Sequence, residues 1–152
     1  MKVDLLAEVF VGTTKVGEGE LDNVSTGSSG FNNALLDTIP LALAGPAPIP
    51  VGSALKMKVS VRRTCVGTGH LSGIVRLWYN GQLMDSGATR DAGSRFDATI
   101  GDSPATSYFL RTGLTLSQVA GTSKQSIDVV VDGREPCPAR TFKPFGTWSV
   151  VP

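Results

Sequence analysis

The stretch that decides the fold is residues 55–62, which read LKMKVSVR. Apolar side chains at Leu55, Met57, Val59 and Val61 alternate there with polar ones. Successive side chains of a β-strand point to opposite faces, so this period of two residues predicts a strand with one buried and one solvated face. The segment is the clearest strand in the chain and indicates a protein built from β-sheets.

The same alternation recurs on both sides of residues 55–62. It predicts one strand at residues 3–11 and a second at residues 15–24, the latter weakened by Gly17 and Gly19. Later strands are predicted at residues 73–80, 95–100, 107–116, 125–131 and 142–151. About eight short strands with turn residues between them favour an all-β fold, a single β-sandwich or jelly roll of antiparallel strands.

The 152 residues of the chain have the length of one domain. We expect a single β-sandwich domain spanning residues 1–152, with the regular sandwich core at residues 51–152. Residues 1–50 are expected to be less regular, with N-terminal strands that form an extended arm. This part ends in a stiff, proline-rich connector at residues 45–50, which read GPAPIP.

The composition limits the classes of partner. Hydrophobic residues make up 41% of the chain and charged residues 18%, with 18 Gly and 9 Pro, which favours strands and tight turns over helices. The 14 Lys and Arg balance the 13 Asp and Glu, so charge gives no reason to expect nucleic acid or an anionic membrane. Acidic residues interrupt the apolar start, so we do not expect residues 1–8 to be a signal peptide, and either the protein uses none or one has been removed. No apolar run reaches about 18 residues, so we expect no membrane span.

Residue types that carry catalysis or bind metals are sparse. A Ser-His-Asp site would need the single histidine, His70, as its base, and a zinc site would need more His or Cys than the chain has. We interpret His70, in a glycine-rich loop, as a turn residue. Asp85, Asp91, Asp97 and Asp102 lack the spacing of a calcium loop and fit turns better, with a loop calcium site as the alternative. We therefore expect neither enzymatic activity nor a cofactor.

Cys65 and Cys137 lie 72 positions apart, each where a predicted strand meets a loop. This spacing is not that of a metal motif. The two residues form either a disulfide that staples the C-terminal segment to the core or two buried thiols, and the sequence does not decide between these.

Surface contacts are expected at the predicted arm, residues 1–12, at the proline-rich connector and in one later strand. An arm gains its order from the neighbour that it binds, so contact area and multivalency stabilise it. In the pair Trp78-Tyr79 one ring should face outward, where Trp78 would stack on a sugar ring or anchor a subunit unless a second layer covers it. The candidate contact residues are Leu5, Val9, Phe10, Pro46, Pro48, Pro50 and Trp78.

Several strand-like stretches resemble a known type of module. They are residues 55–63, 75–80, 94–100, 108–111, 127–131 and 142–148. Together they look like a β-sandwich module found toward the end of large bacterial surface proteins. That resemblance carries over no activity and no catalytic residue.

By its size, all-β pattern and unprocessed start, the whole chain is similar to the decoration (cement) proteins of tailed-phage capsids. Those small β-rich proteins trimerise on the capsid lattice and clamp it. The resemblance implies a structural, non-enzymatic protein on a virion or extracellular surface, whose partners are copies of itself, such as a trimer, and a larger assembly such as a capsid. The alternative is a carbohydrate-binding or adhesive module of a bacterial cell-surface protein or extracellular filament, with glycans bound by Trp78, Asp85, Arg90 and Asp91.

Overall fold

The computed structural model describes residues 1–28, 33–66, 72–79, 95–98, 106–109, 125–134, 136–137 and 140–150. These residues hold nine strands: β1 (Lys2–Val11), β2 (Thr14–Ser25), β3 (Ala42–Leu43), β4 (Leu55–Arg63), β5 (Ser72–Tyr79), β6 (Arg95–Ala98), β7 (Thr106–Phe109), β8 (Gln125–Asp132) and β9 (Lys143–Val150). Every pairing among them is antiparallel, so the predicted all-β class of antiparallel strands is confirmed. No helix in the described residues is long and apolar enough to span a membrane.

β1 is the central strand of a five-stranded sheet with the order β3-β2-β1-β4-β9. It pairs with β2 on one edge and with β4 on the other, where Leu5 faces Val61 and Val9 faces Met57. The prediction that residues 1–12 form an arm ordered by a neighbour is therefore wrong. The alternating apolar residues of β1 find their packing, and its backbone finds its hydrogen bonds, within the chain itself.

The core lies on the inner face of this sheet, against the ribbon formed by β5 and β8. Val61 of β4 is fully buried, and Val75 of β5 and Val131 of β8 pack into the same apolar cluster. Phe96 of β6 joins this cluster, although β6 pairs with β7 in a separate sheet. Each such buried side chain contributes about 1.5–3 kcal/mol, so the shared core holds the separate sheets together.

Residues 39–43 run beside β2, close to the two glycines in that strand. Gly17 and Gly19 are buried there, and β3 pairs with β2 at Gly17. A β-carbon on Gly17 would lie 2.7 Å from the carbonyl oxygen of Ala42, which is too close for any other residue without a shift. The glycines thus allow an extended segment to cover the edge of β2, where an open strand would present unpaired backbone groups.

Two links join the end of β4 to the segment that follows β8. Cys65 and Cys137 form a disulfide, with their Cα atoms 5.8 Å apart. Arg140 donates one hydrogen bond to the backbone carbonyl of Thr64 and another, 2.5 Å long, to that of Gly133. Both links hold the end of the five-stranded sheet to the end of the β5–β8 ribbon.

Candidate functional site

A cavity of about 400 Å³ opens between strand β5 and the end of the sheet formed by β1 and β2. Its floor is apolar and includes Val3, Leu5 and Phe145, which belong to the core or pack against it. Its walls come from residues 24–28, from Ala34, Leu35 and Asp37 between β2 and β3, and from residues 74–78 of β5. Because consecutive residues of β5 line it, the cavity lies along the edge of β5 opposite to β8.

Trp78 is partly exposed at this cavity, on the same face of β5 as Arg76. The Arg76 guanidinium lies over the Trp78 ring, 5.6 Å from its centroid, within the range of a cation–π interaction. Asp128 is directly opposite on β8 and accepts hydrogen bonds from Nε and from Nη2 of Arg76, the latter 2.6 Å long. These hydrogen bonds raise the pKa of Arg76 and lower that of Asp128. Asp128 thus positions Arg76 beside the indole ring.

Among the described residues that line the cavity, Asp37 is the acidic one, and it lies between β2 and β3. Although the residue as a whole is exposed, its surroundings desolvate the carboxyl group, which raises the pKa of Asp37. Among the described residues, no basic side chain forms an ion pair with it. Ser25, Thr26 and Ser28 add hydroxyl groups to the lining. The cavity therefore combines an acid, a base, hydroxyl groups and an indole ring over an apolar floor.

Apolar side chains stay exposed at the rim of the cavity and beside it. Leu35 and Ile74 both line the cavity and are 57% and 63% exposed. Ile74 faces Val130 across the β5–β8 ribbon, and Val130 is 60% exposed. We call these three residues the apolar patch, and it continues the surface of the cavity onto the outer face of the ribbon.

Val51 is a separate exposed apolar residue on a tight turn after the proline-rich connector. The Ser53 amide donates a hydrogen bond of 2.9 Å to the carbonyl oxygen of Pro50, and Gly52 has a φ of +80°. That positive φ favours glycine at the third position of the turn, because a β-carbon there would be strained. The turn holds Val51 in full contact with solvent.

A charged cluster surrounds Asp4 on the outer face of the five-stranded sheet. Asp4 is 3% exposed and accepts hydrogen bonds from Nε of Arg62 and from the backbone amide of Asn23, both 2.9 Å long. Burial alone would raise the pKa of Asp4, but these hydrogen bonds outweigh it and lower the pKa. The carboxylates of Asp4, Glu20 and Asp22 lie within 4.8 Å of one another, and Arg62 forms ion pairs with all three. The cluster is an ion-pair network centred on Arg62.

The contact residues that were predicted from the sequence lie in different parts of the structure, some buried and some exposed. Leu5 packs against the core and Val9 is buried in it, because β1 is a central strand, so neither lies on an exposed arm. Phe10 alternates onto the outer face of the sheet and is partly exposed. Trp78 lines the cavity. Exposed residues of the connector are Pro46, Pro48 and Pro50.

Several other candidates lie outside the described residues, and their roles stay predictions. They are His70, Asp85, Arg90, Asp91 and Asp102. Sequence reasoning misses Asp37 and Arg76 at the cavity. Arg76 carries a weak signal, since it lies two residues before Trp78 on one strand face, whereas no local pattern marks Asp37.

These strands and this cavity define a small all-β protein with a cleft of mixed polar and aromatic character at a ribbon edge. Comparison with known protein families, with curated proteins and with solved structures found no significant match for the chain. The geometry of its own residues therefore carries the functional argument.

Proposed function

We propose that the protein is a non-enzymatic structural component of a larger assembly, which it joins through apolar surface. The observation that carries the proposal is the exposed cross-strand pair of Ile74 and Val130 on the outer face of the β5–β8 ribbon. Apolar side chains that face each other in a two-stranded ribbon gain stability when a further layer covers them. Their exposure leaves a surface that suits a protein partner.

The surroundings of this pair have the pattern of a protein interface. Leu35 extends the pair across the rim of the cavity, so the exposed apolar residues form a patch and are not scattered singly. The ion pair of Arg76 and Asp128 lies two residues along the same ribbon face. An apolar centre with a polar rim is typical of surfaces where subunits meet.

The finer form of the proposal is a decoration protein of a tailed-phage capsid, on a virion or extracellular surface, assembled with copies of itself, for example as a trimer. The all-β class and the apolar patch support it. In this form the sheets belong to one sandwich of the jelly-roll type, with the β5–β8 ribbon in the layer that faces the five-stranded sheet.

Sedimentation velocity over a concentration series tests self-association. We expect the native chain to form oligomers and the double variant Ile74→Ser, Val130→Ser to shift toward the monomer. Val66→Ser is the matched control, because Val66 is 62% exposed at the bend after β4 and lies outside the apolar patch. A native chain that stays monomeric, or a double variant that associates like the native chain, would contradict the proposal.

Co-sedimentation with capsid shells tests the finer form. The shells are assembled from the major capsid protein whose gene lies nearest to that of this chain. We expect saturable binding that the double variant loses and the Val66→Ser control retains. A chain that forms oligomers but does not bind the shells would contradict the decoration role, while the assembly role would stand.

A further inference from the structure

We propose that the cavity beside Trp78 is a binding site for one ring of a neutral saccharide, a role that goes beyond assembly. Residues 24–28, the segment that contains Asp37 and strand β5 form its walls, and β1 and β9 contribute its apolar floor. The site uses the interior of the cavity, whereas the proposed assembly uses the apolar patch outside and at its rim.

The size and the apolar surface of the cavity suit a sugar ring. Its volume of about 400 Å³ falls within the range of about 300–1,000 Å³ that is usual for small-molecule sites. Leu77 and Phe145 give it apolar surface, and the Trp78 ring adds a flat aromatic one. A pyranose carries C–H groups on its faces and hydroxyl groups around its rim, and an aromatic ring covers such an apolar face well. The lining therefore matches an amphipathic ligand better than a uniformly apolar one.

The polar groups of the lining supply both donors and acceptors. Asp128 engages Nε and Nη2 of Arg76, which leaves the Nη1 donors outside that pair. The carboxylate of Asp37 accepts hydrogen bonds. The Thr26 hydroxyl donates to the carbonyl oxygen of Met1 at 3.1 Å, so its own oxygen serves as an acceptor. Neighbouring sugar hydroxyls donate and accept in turn, which fits this mixed set.

The charge balance of the cavity favours a neutral ligand. Among the described residues that line the cavity, Asp37 is the one acid and Arg76 the one base, and Asp128 already compensates the base. Desolvation also raises the pKa of Asp37, which is the direction expected where burial costs a carboxylate its hydration. Beside Asp37, a phosphate, a sulfate or the carboxylate of an acidic sugar would lose its hydration, and the described lining offers no positive charge besides Arg76, which Asp128 already pairs. A neutral ring avoids that cost.

A glycan array with neutral, sialylated and sulfated glycans tests the ligand class on the full chain. We expect the chain to bind neutral glycans. Binding confined to the charged glycans would overturn the proposal, and so would an array without binding.

Substitutions of residues that line the cavity test whether the glycan binds there. Trp78→Ala and Asp37→Asn are each expected to weaken the binding of the best neutral glycan by at least about tenfold. Asp22→Asn is the matched control, because Asp22 belongs to the charged cluster on the outer face of the other sheet, and its affinity should equal that of the native chain.

The second tryptophan shows whether variants of Trp78 are folded, because it is then the remaining tryptophan. Trp148 is 3% exposed in the core and is one of two tryptophans in the chain. In Trp78→Phe its emission should keep the short wavelength of a buried indole and stop responding to the glycan, whereas the native emission responds. Folded Trp78→Ala and Asp37→Asn variants that bind with native affinity would overturn the proposal.

Discussion

The carbonyl oxygen of Pro40 occupies the space that a β-carbon on Gly19 would need. Gly17 lies similarly close to the carbonyl oxygen of Ala42. Gly17 is two residues from Gly19 in β2, and Ala42 is two residues from Pro40 in the segment beside it. Both glycines lie in β2, so the missing side chains allow residues 39–43 to rest on the strand and cover its edge. Glycine in this strand therefore serves the packing of a second segment, although it lowers the intrinsic strand preference.

Gly19→Ala is expected to lower the free energy of unfolding by about 1–3 kcal/mol, the usual cost of forcing atoms into filled space. The added methyl group must displace the segment at Pro40. Urea unfolding followed by tryptophan fluorescence measures the change. Gly45→Ala is the matched control, because a β-carbon at Gly45 meets nothing within 4 Å. Equal loss in both variants would show that the segment does not rest on β2.

Reduction of the bond between Cys65 and Cys137 is expected to lower the free energy of unfolding by about 2–4 kcal/mol, because the link restricts a long loop in the unfolded chain. The two residues are separated by 72 positions. Both are exposed, so a thiol reductant reaches them without unfolding the protein. Urea unfolding with and without reductant measures the effect. The double variant Cys65→Ser, Cys137→Ser should be as unstable as the reduced protein and insensitive to reductant, and a native protein that reductant leaves unchanged would contradict the prediction.

Arg140→Lys is expected to lower the free energy of unfolding by about 1–3 kcal/mol although it keeps the positive charge. The guanidinium reaches the carbonyls of Thr64 and Gly133 from Nη1 and Nη2, and an ammonium group lacks this fork. Thermal unfolding followed by circular dichroism compares the melting temperature of the variant with that of the native chain. Arg134→Lys is the control, since Arg134 is exposed. Similar melting temperatures for the two variants would show that the fork does not hold the sheets together.

Asp4→Asn is expected to lower the free energy of unfolding by about 2–3 kcal/mol at pH 7 and to reduce the sensitivity of the fold to acid. Despite the burial of Asp4, hydrogen bonds from Asn23 and Arg62 hold its pKa below the ordinary value. A carboxyl group with a lower pKa in the folded state stabilises the fold above its unfolded pKa. This contribution disappears as the pH falls through about 4 and then through the lower folded pKa.

Urea unfolding at pH 7 and at pH 3 tests this prediction. The native chain should lose more stability between the two pH values than Asp4→Asn does. Asp22→Asn serves as the control, because the Asp22 side chain is 73% exposed and lies 3.9 Å from Arg62. An acid response in Asp4→Asn as large as that of the native chain would show that Asp4 does not carry it.

Alternation along the chain predicts where individual strands lie, but it does not predict which strands pair or what each side chain contacts. The patterns at residues 3–11, 15–24 and 55–62 correspond to β1, β2 and β4, because a period of two residues is a local property. The same pattern places Asp4 on the solvated face. Asp4 is buried nevertheless, because the register of β1 on β4 sets it directly opposite Arg62.

For this protein the sequence by itself determined the all-β class and the regular strands, since both depend on residues that are close together in the chain. The tertiary structure alone decided that β1 is central, that Cys65 bonds to Cys137, and that Asp37 and Trp78 line one cavity. Each of these relationships joins residues from distant parts of the chain. Only the packing of the sheets on a shared core brings them together.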